Sequence, residues 1–319
     1  MSHAVMLDRE TLDLGDLDLS GLESSVETLT TYPQTQPADV VERIGDADIV
    51  IVNKVVLTAE IIQACPNLKL ICVIATGVNN IDTQAAAERN VKVVNCRAYG
   101  TESVSQHAIA MLLALNTRLL DYAEAVRAGR WEQAPHFCFL DYPIREIADQ
   151  TLLVVGHGEL GGAVARKAEC LGMRVLKAER PGASEVRPGR VDFHEAIPQA
   201  DAVTLHCPLT AETENLINAD VLKRMKPTAV VINTARGGIV NEADLADALR
   251  RGEIAGAGMD VLTTEPPRAG NALLANDIPN LIVTPHSAWG SRTARQRIVT
   301  QTVENISAWE QGEALRVVV

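Results

Sequence analysis

The sequence predicts an α/β protein built on open parallel sheets, and three observations carry that expectation. Short aliphatic and β-branched runs alternate with Ala-, Glu-, Leu- and Arg-rich stretches of helical periodicity along most of the chain. Several runs are apolar throughout, which fits strands buried on both faces. Aromatic residues make up only 3% of the chain, so Val, Ile, Leu and Ala must fill the interior, and that palette suits α/β layers.

The elements follow in order. DIVIVN (48–53), LICVIA (70–75) and VKVV (91–94) form a first series of predicted strands. TLLVV (151–155), MRVLK (173–177), DAVTLH (201–206), AVVIN (229–233), GAGMDV (256–261) and LIVT (281–284) form a second. Segments such as NEADLADALRRGEI supply the intervening helices. Between the two series, TESVSQHAIAMLLALNTRLL reads as one long helix, with Thr101 placed as a cap and Glu102 in the first turn. Its broad apolar face suits the core and leaves a subunit contact open. The next stretch, RAGRWEQAPHFCFLDYPIRE, carries four aromatic residues and reads as an irregular arm, either a dimer contact or a flap.

Bulk properties narrow the function classes. A length of 319 residues suggests two domains. A net charge of -12 opposes general binding to nucleic acid or anionic membrane, both of which need basic surface. The six cysteines form no C-x-x-C pair and read as buried thiols of a reducing compartment. The N-terminus is acidic, and the longest strictly apolar run is the eight residues Ala108 to Leu115, against about 20 for a membrane span. The expected location is the cytoplasm. No metal-site motif is present.

The chemistry enters at strand ends. Gly156-His157-Gly158-Glu159-Leu160-Gly161 follows a strand and opens a helix, the context a dinucleotide-binding G-x-G-x-x-G requires. Gly156 allows the tight turn, Gly158 lets the backbone approach a pyrophosphate, and Gly161 lets the helix pack on the sheet. The amides of Glu159 and Leu160 point at the phosphates. Glu179 lies eighteen residues past Gly161 at the end of the next strand. An acid there accepts bonds from the adenosine ribose hydroxyls and repels a 2′-phosphate, so NAD is the expected cofactor. Arg180 beside it leaves NADP open.

Reduction of a 2-keto acid needs a hydride donor, a cation for the carboxylate and an acid for the new alkoxide. Arg236 follows a strand in Thr234-Ala235-Arg236-Gly237-Gly238, and its planar fork suits a carboxylate. His286 follows another strand in Thr284-Pro285-His286, as a proton donor near neutral pH. Glu265, before Pro266, is the expected partner that fixes the imidazole ring and favours its charged form.

These segments, with Gly258-Met259-Asp260-Val261 and the glycine motif, resemble the D-isomer-specific 2-hydroxyacid dehydrogenases over nearly the whole chain. Ala75–Asp82 and Tyr99–His107 are most similar to the glycerate dehydrogenase/hydroxypyruvate reductase branch. The resemblance implies that Arg236, Glu265 and His286 form the catalytic set, and that Thr76 and Gly77 receive the substrate carboxylate. It further implies that Asp260 bonds the nicotinamide carboxamide and that Thr234, Cys207 and Pro208 line the nicotinamide. It implies a flavodoxin-like substrate domain of residues 1–98 and 290–319, with an NAD-binding Rossmann domain, 99–289, inserted into it and the cleft between. A homodimer is also implied. The expected substrate is a small anionic keto acid, hydroxypyruvate or glyoxylate. His107 and His206 are read as structural. Trp289 either shapes the substrate pocket or caps the core. Another substrate in the same chemistry, or an NAD(H)-sensing regulatory protein on the same fold, stands as the alternative.

Overall fold

The computed structural model describes residues 2–313 and 315–319. The chain forms two compact units, residues 1–100 with 290–319, and residues 101–289. The first unit holds β1 (His3–Met6), α1 (Ser20–Ser24), β2 (Thr28–Thr31), α2 (Val40–Ile44), β3 (Ile49–Val52), α3 (Ala59–Ala64), β4 (Leu70–Val73), α4 (Thr83–Glu88) and β5 (Lys92–Asn95). The second holds α5 (Thr101–Thr117), α6 (Leu119–Arg127), β6 (Thr151–Val155), α7 (Glu159–Cys170), β7 (Arg174–Lys177), α8 (Phe193–Ala196), β8 (Ala202–Leu205), α9 (Ala219–Arg224), β9 (Val230–Asn233), α10 (Glu242–Arg250), β10 (Gly256–Met259) and β11 (Leu281–Val283). The chain then returns to the first unit with α11 (Arg292–Glu310).

The first unit is an all-parallel sheet in the order β2-β1-β3-β4-β5. That is the flavodoxin-like strand order. Val5, Leu7, Val50, Val52, Ile71 and Val73 form a buried cluster on one face with Ile44, Ile62 and Ala86 of α2, α3 and α4. Alternate residues, among them Met6, Ile51 and Leu70, are buried on the other face, where α11 packs on β4 and α1. Burial on both faces explains why these strands read as unbroken apolar runs.

The switch point of this sheet, between β1 and β3, is filled by the protein itself. Asp8 is 3% exposed, and its carboxylate accepts the backbone amides of Asn53 (3.0 Å), Lys54 (2.6 Å) and Val55 (3.1 Å). A nest of amides of that kind would otherwise suit an external anion.

The second unit is a six-stranded parallel sheet in the order β11-β10-β9-β8-β6-β7. Its four inner strands also bury both faces. Leu152, Val154 and Ile232 meet Ala108, Leu112 and Leu115 of α5 and Val164 of α7. Leu153, Val155 and Val231 face Leu222, Leu245 and Leu249 of α9 and α10.

Three features depart from the sequence expectations. Strands β1 and β2 lie outside the predicted series, because HAVM is short and TLTT is a half-exposed edge strand with no apolar run. The long helix breaks at Arg118, which takes φ +53°, and a second helix, α6, begins at once. Thr101 opens α5, but its hydroxyl donates to Glu159 at the start of α7. Residues 128–147 form no helix or strand, as an irregular arm requires.

Candidate active site

Parallel pairing puts the carboxyl ends of β6–β11 on one edge of the second sheet, the edge where α/β sheets bind ligands. The residues singled out from the sequence of this unit follow those ends. Gly156 follows β6, Glu179 follows β7, Cys207 and Pro208 follow β8, Thr234 and Arg236 follow β9, Asp260 follows β10 and His286 follows β11.

The glycine turn separates into two kinds of position. Gly156 has φ +86°, and a Cβ there would lie 2.6 Å from the backbone of His206 and Cys207. A Cβ on Gly161 would lie 2.1 Å from the Gly156 carbonyl oxygen. Both are glycine because the chain itself leaves no room. At Gly158 a Cβ would meet nothing within 4 Å. The space beside it is free for a group from outside the protein. Helix α7 starts immediately after, and its first intrahelical bond runs from Gly162 to Gly158 at 2.9 Å. The amides of Glu159, Leu160 and Gly161 therefore lack helical acceptors, which suits an anion.

Around β8 and β9 the edge buries several polar side chains. The Thr234 hydroxyl oxygen is buried with no partner among the described residues, as is Nδ1 of His206. His206 Nε2 meets the Thr204 hydroxyl at 2.8 Å, and burial pushes its pKa down to about 4. The Cys207 thiol is pushed up to about 11 by burial, so it presents a neutral wall. Pro208 is exposed and its carbonyl accepts from the Thr213 hydroxyl at 2.7 Å. The orphaned Thr234 hydroxyl, the open space at Gly158 and the bare amides of α7 together fit a dinucleotide. Glu159 is the exception, placing a carboxylate in the first turn; its partner Thr101 holds it toward α5.

His286 and Glu265 form the central pair. Nδ1 of His286 lies 2.6 Å from Oε2 of Glu265, and each side chain is about a third exposed. The other Glu265 oxygen accepts the Leu262 amide at 2.8 Å. Glu242, at the start of α10, fastens the same loop by accepting from the Thr263 amide and the Asn271 side chain. His286 takes φ +52°, a left-handed conformation that costs on the order of 1–3 kcal/mol.

Asp260 over-determines that conformation. It is 1% exposed. Its carboxylate accepts the Thr284 hydroxyl (2.5 Å) and the amides of Ser287 (2.9 Å) and Ala288 (3.0 Å). Its carbonyl accepts the His286 amide at 2.7 Å. Asp260 is thus occupied in shaping the His286 turn. His107 of α5 joins this network, with Nε2 3.0 Å from the Thr284 hydroxyl and 3.8 Å from Asp260. Sequence reading names His107 and Asp260 separately but has no means of pairing them.

Arg236 is exposed, and its guanidinium donates to the Ala235 carbonyl at 2.7 Å. Among the described residues it enters no ion pair, so a cation stands uncompensated at the sheet edge. Gly237 beside it fixes its place. A Cβ at Gly237 would lie 2.0 Å from the Leu262 carbonyl carbon, so only glycine lets the Arg236 turn sit against the loop that carries Glu265.

Thr76 and Gly77 lie beyond the end of β4, in the first unit. The Thr76 hydroxyl donates to the Cys96 carbonyl at 3.0 Å, and the Thr76 carbonyl accepts from Asn95 at 2.8 Å. At the end of β7, Glu179 stands where a ribose-reading acid is expected, but its carboxylate is already engaged by Arg187. Neither Arg187 nor Arg190 carries a signal in the sequence alone.

Residues 109–288 match the family described as D-isomer specific 2-hydroxyacid dehydrogenase, NAD binding domain. The chain belongs to the D-isomer specific 2-hydroxyacid dehydrogenases. Within that family it is 44% identical to a glycerate dehydrogenase of Methylorubrum extorquens over 316 residues, 98% of each chain. It is 38% identical to a hydroxypyruvate reductase of Blautia hydrogenotrophica, again over 98% of each chain. Among solved structures, the TT0316 protein of Thermus thermophilus superposes with a TM-score of 0.86 at 33% identity, covering 99% of this chain and all of that one. No helix among the described residues of this dehydrogenase is long and apolar enough to cross a membrane.

Proposed function

We propose that this dehydrogenase reduces hydroxypyruvate, and glyoxylate as a smaller analogue, to the D-2-hydroxy acid with NADH, and that Arg236, Glu265 and His286 carry the reaction. The single observation behind the residue assignment is the 2.6 Å His286–Glu265 pair standing on the same sheet edge as the uncompensated Arg236. The relatives named glycerate dehydrogenase and hydroxypyruvate reductase support the substrate class.

NADH, when bound, supplies the hydride to the keto carbon. Arg236 binds the carboxylate through its fork and polarises the keto oxygen. Because Glu265 faces Nδ1 of His286, the ring keeps its transferable proton at Nε2 and delivers it to the alkoxide oxygen as the carbon accepts the hydride. In the reverse direction the same nitrogen takes the proton back. Backbone amides at Thr76 and Gly77 receive the substrate carboxylate. The bare amides of Glu159, Leu160 and Gly161 hold the pyrophosphate, and the orphaned Thr234 hydroxyl, with Cys207 and Pro208, lines the nicotinamide. Asp260 shapes the His286 turn, and its remaining lone pair would accept from the carboxamide.

The working form is a cytoplasmic homodimer. Leu119 and Leu120 of α6 and Trp131, Phe137, Leu140 and Ile144 of the arm are all more than half exposed, at 54–88%, and such apolar surface suits a second copy of the chain.

Loss of NADH absorbance with a panel of keto acids tests the substrate. Hydroxypyruvate is expected to give the highest kcat/KM, glyoxylate a lower one, and the product to be the D isomer. Failure of both to oxidise NADH, or formation of the L isomer, contradicts the reading.

A further inference from the structure

The loop after β4 turns its amides outward because the end of β5 holds its carbonyls. Two successive peptide groups are anchored in this way. The Ala75 carbonyl accepts the Cys96 amide at 3.1 Å, and the Thr76 carbonyl accepts Nδ2 of Asn95 at 2.8 Å. The Thr76 hydroxyl adds a third tie by donating to the Cys96 carbonyl at 3.0 Å. In a trans peptide the N–H points opposite to the C=O. With both carbonyls directed at the end of β5, the amides of Thr76 and Gly77 face away from it, and neither donates to an acceptor among the described residues. Successive amides that point the same way form a concavity for an anion.

Asn95 supplies the side chain of this clamp. It is 6% exposed, at the end of β5. Its carbonyl accepts Nδ2 of Asn305 on α11 at 3.0 Å, and its amide donates to the Arg316 carbonyl at 3.2 Å. The orientation of its carboxamide follows from its partners. The Thr76 carbonyl is an acceptor and requires Nδ2; Nε of Arg97 is a donor and requires Oδ1, 3.1 Å away. Arg97 is exposed, its Nη2 donates to the Val317 carbonyl at 3.2 Å, and it enters no ion pair among the described residues. A cation, a carboxamide and a peptide group thus follow one another. Arg97 Nε–H donates to Asn95 Oδ1, Asn95 Nδ2–H donates to the Thr76 oxygen, and the Gly77 N–H is the open end of the chain.

We propose that Asn95 and Arg97 are positioning residues for the carboxylate of the keto acid: together they aim and polarise the peptide group joining Thr76 to Gly77, whose N–H receives it. The inference rests on the reading of Thr76 and Gly77 as the carboxylate subsite. Each bond in such a chain withdraws charge from the next group and strengthens the bond after it. A donor on the Thr76 oxygen makes the Gly77 N–H a stronger donor, and the guanidinium at the far end gives the chain the sign an anion needs. Solvent screens the exposed Arg97 charge, so the aim set by the Asn95 bond is the larger effect.

The test combines steady-state kinetics with hydroxypyruvate, inhibition by oxamate (a carboxylate analogue of a small keto acid) and NADH binding by fluorescence, on the full chain. Asn95→Asp keeps the shape of the side chain and its partner Arg97 but turns an acceptor toward the Thr76 carbonyl. It is expected to raise the KM for hydroxypyruvate and the inhibition constant of oxamate about tenfold. Arg97→Ala, at an exposed position, is expected to raise both about threefold. In each variant kcat and NADH affinity stay within about twofold of the wild type, the pattern of lost ground-state binding, which a loosened fold would not give. Unchanged constants in both variants overturn the inference and leave the dehydrogenase reading intact. So does a fall in kcat or NADH affinity as large as the rise in KM. If Asn95→Asp does not fold, Arg97→Ala decides alone, a raised KM supporting the inference and an unchanged one overturning it. Wild-type protein that neither reduces hydroxypyruvate or glyoxylate nor binds oxamate overturns the two readings together.

Discussion

His286→Ala is expected to lower the rate of keto-acid reduction by about 100- to 10,000-fold, the range for losing a positioned general acid, with NADH affinity preserved. Reduction consumes a proton, so the wild-type rate falls as pH rises. That limb is expected to vanish in the variant. The reason is geometric. Glu265 faces one ring nitrogen at 2.6 Å, and the Asp260-bound turn fixes the backbone of His286 at φ +52°. The proton on the other nitrogen is presented in one direction. Rate measurements across pH, with NADH binding followed by fluorescence, check the prediction. A variant that keeps the wild-type pH profile removes His286 from the proton transfer.

Arg236→Ala is expected to cost roughly 1000-fold in kcat/KM, about 4 kcal/mol, again with NADH binding intact. Arg236 is a cation at this edge that enters no ion pair among the described residues. Its loss removes both the carboxylate clamp and the polarisation of the keto oxygen. Arg236→Lys is expected to restore little, because a single ammonium cannot reproduce a planar fork. Steady-state kinetics with hydroxypyruvate separate the outcomes. A raised KM with unchanged kcat limits Arg236 to ground-state binding, and loss of NADH affinity assigns it to the cofactor instead.

Much of this fold is legible in the sequence because parallel strands covered on both faces need unbroken apolar runs. Val50 to Val52, Leu70 to Val73 and Leu152 to Val155 each bury every side chain. Strand β2 is the counterexample. Its edge position leaves TLTT partly exposed and removes the signal. The break at Arg118 is equally hidden, since helical periodicity continues across it and only the left-handed φ interrupts it.

At the site, residues with a local signature can be read. Gly156, Gly158 and Gly161 declare themselves by spacing and by the strand before them. Arg236 and His286 do so by following strands. What stays hidden depends on contacts across sequence distance. His107 and Thr284 are 177 residues apart and share a hydrogen bond. Glu179 looks like a free acid in the sequence because its neutralising partner Arg187 comes eight residues later, in a loop without periodicity. The family resemblance reads Asp260 as a ligand of the nicotinamide; the bonds by which its carboxylate also ties the turn of His286 join residues 24 to 28 positions apart and carry no local signature.

The most direct test of the account follows the atoms themselves. Hydroxypyruvate is reduced with NADH carrying deuterium at both C4 positions, and the product is analysed by mass spectrometry and chiral chromatography. The expected product is D-glycerate with a single deuterium bound at C2 in essentially every molecule formed. Glycerate without deuterium at C2, or labelled glycerate of the L configuration, contradicts it.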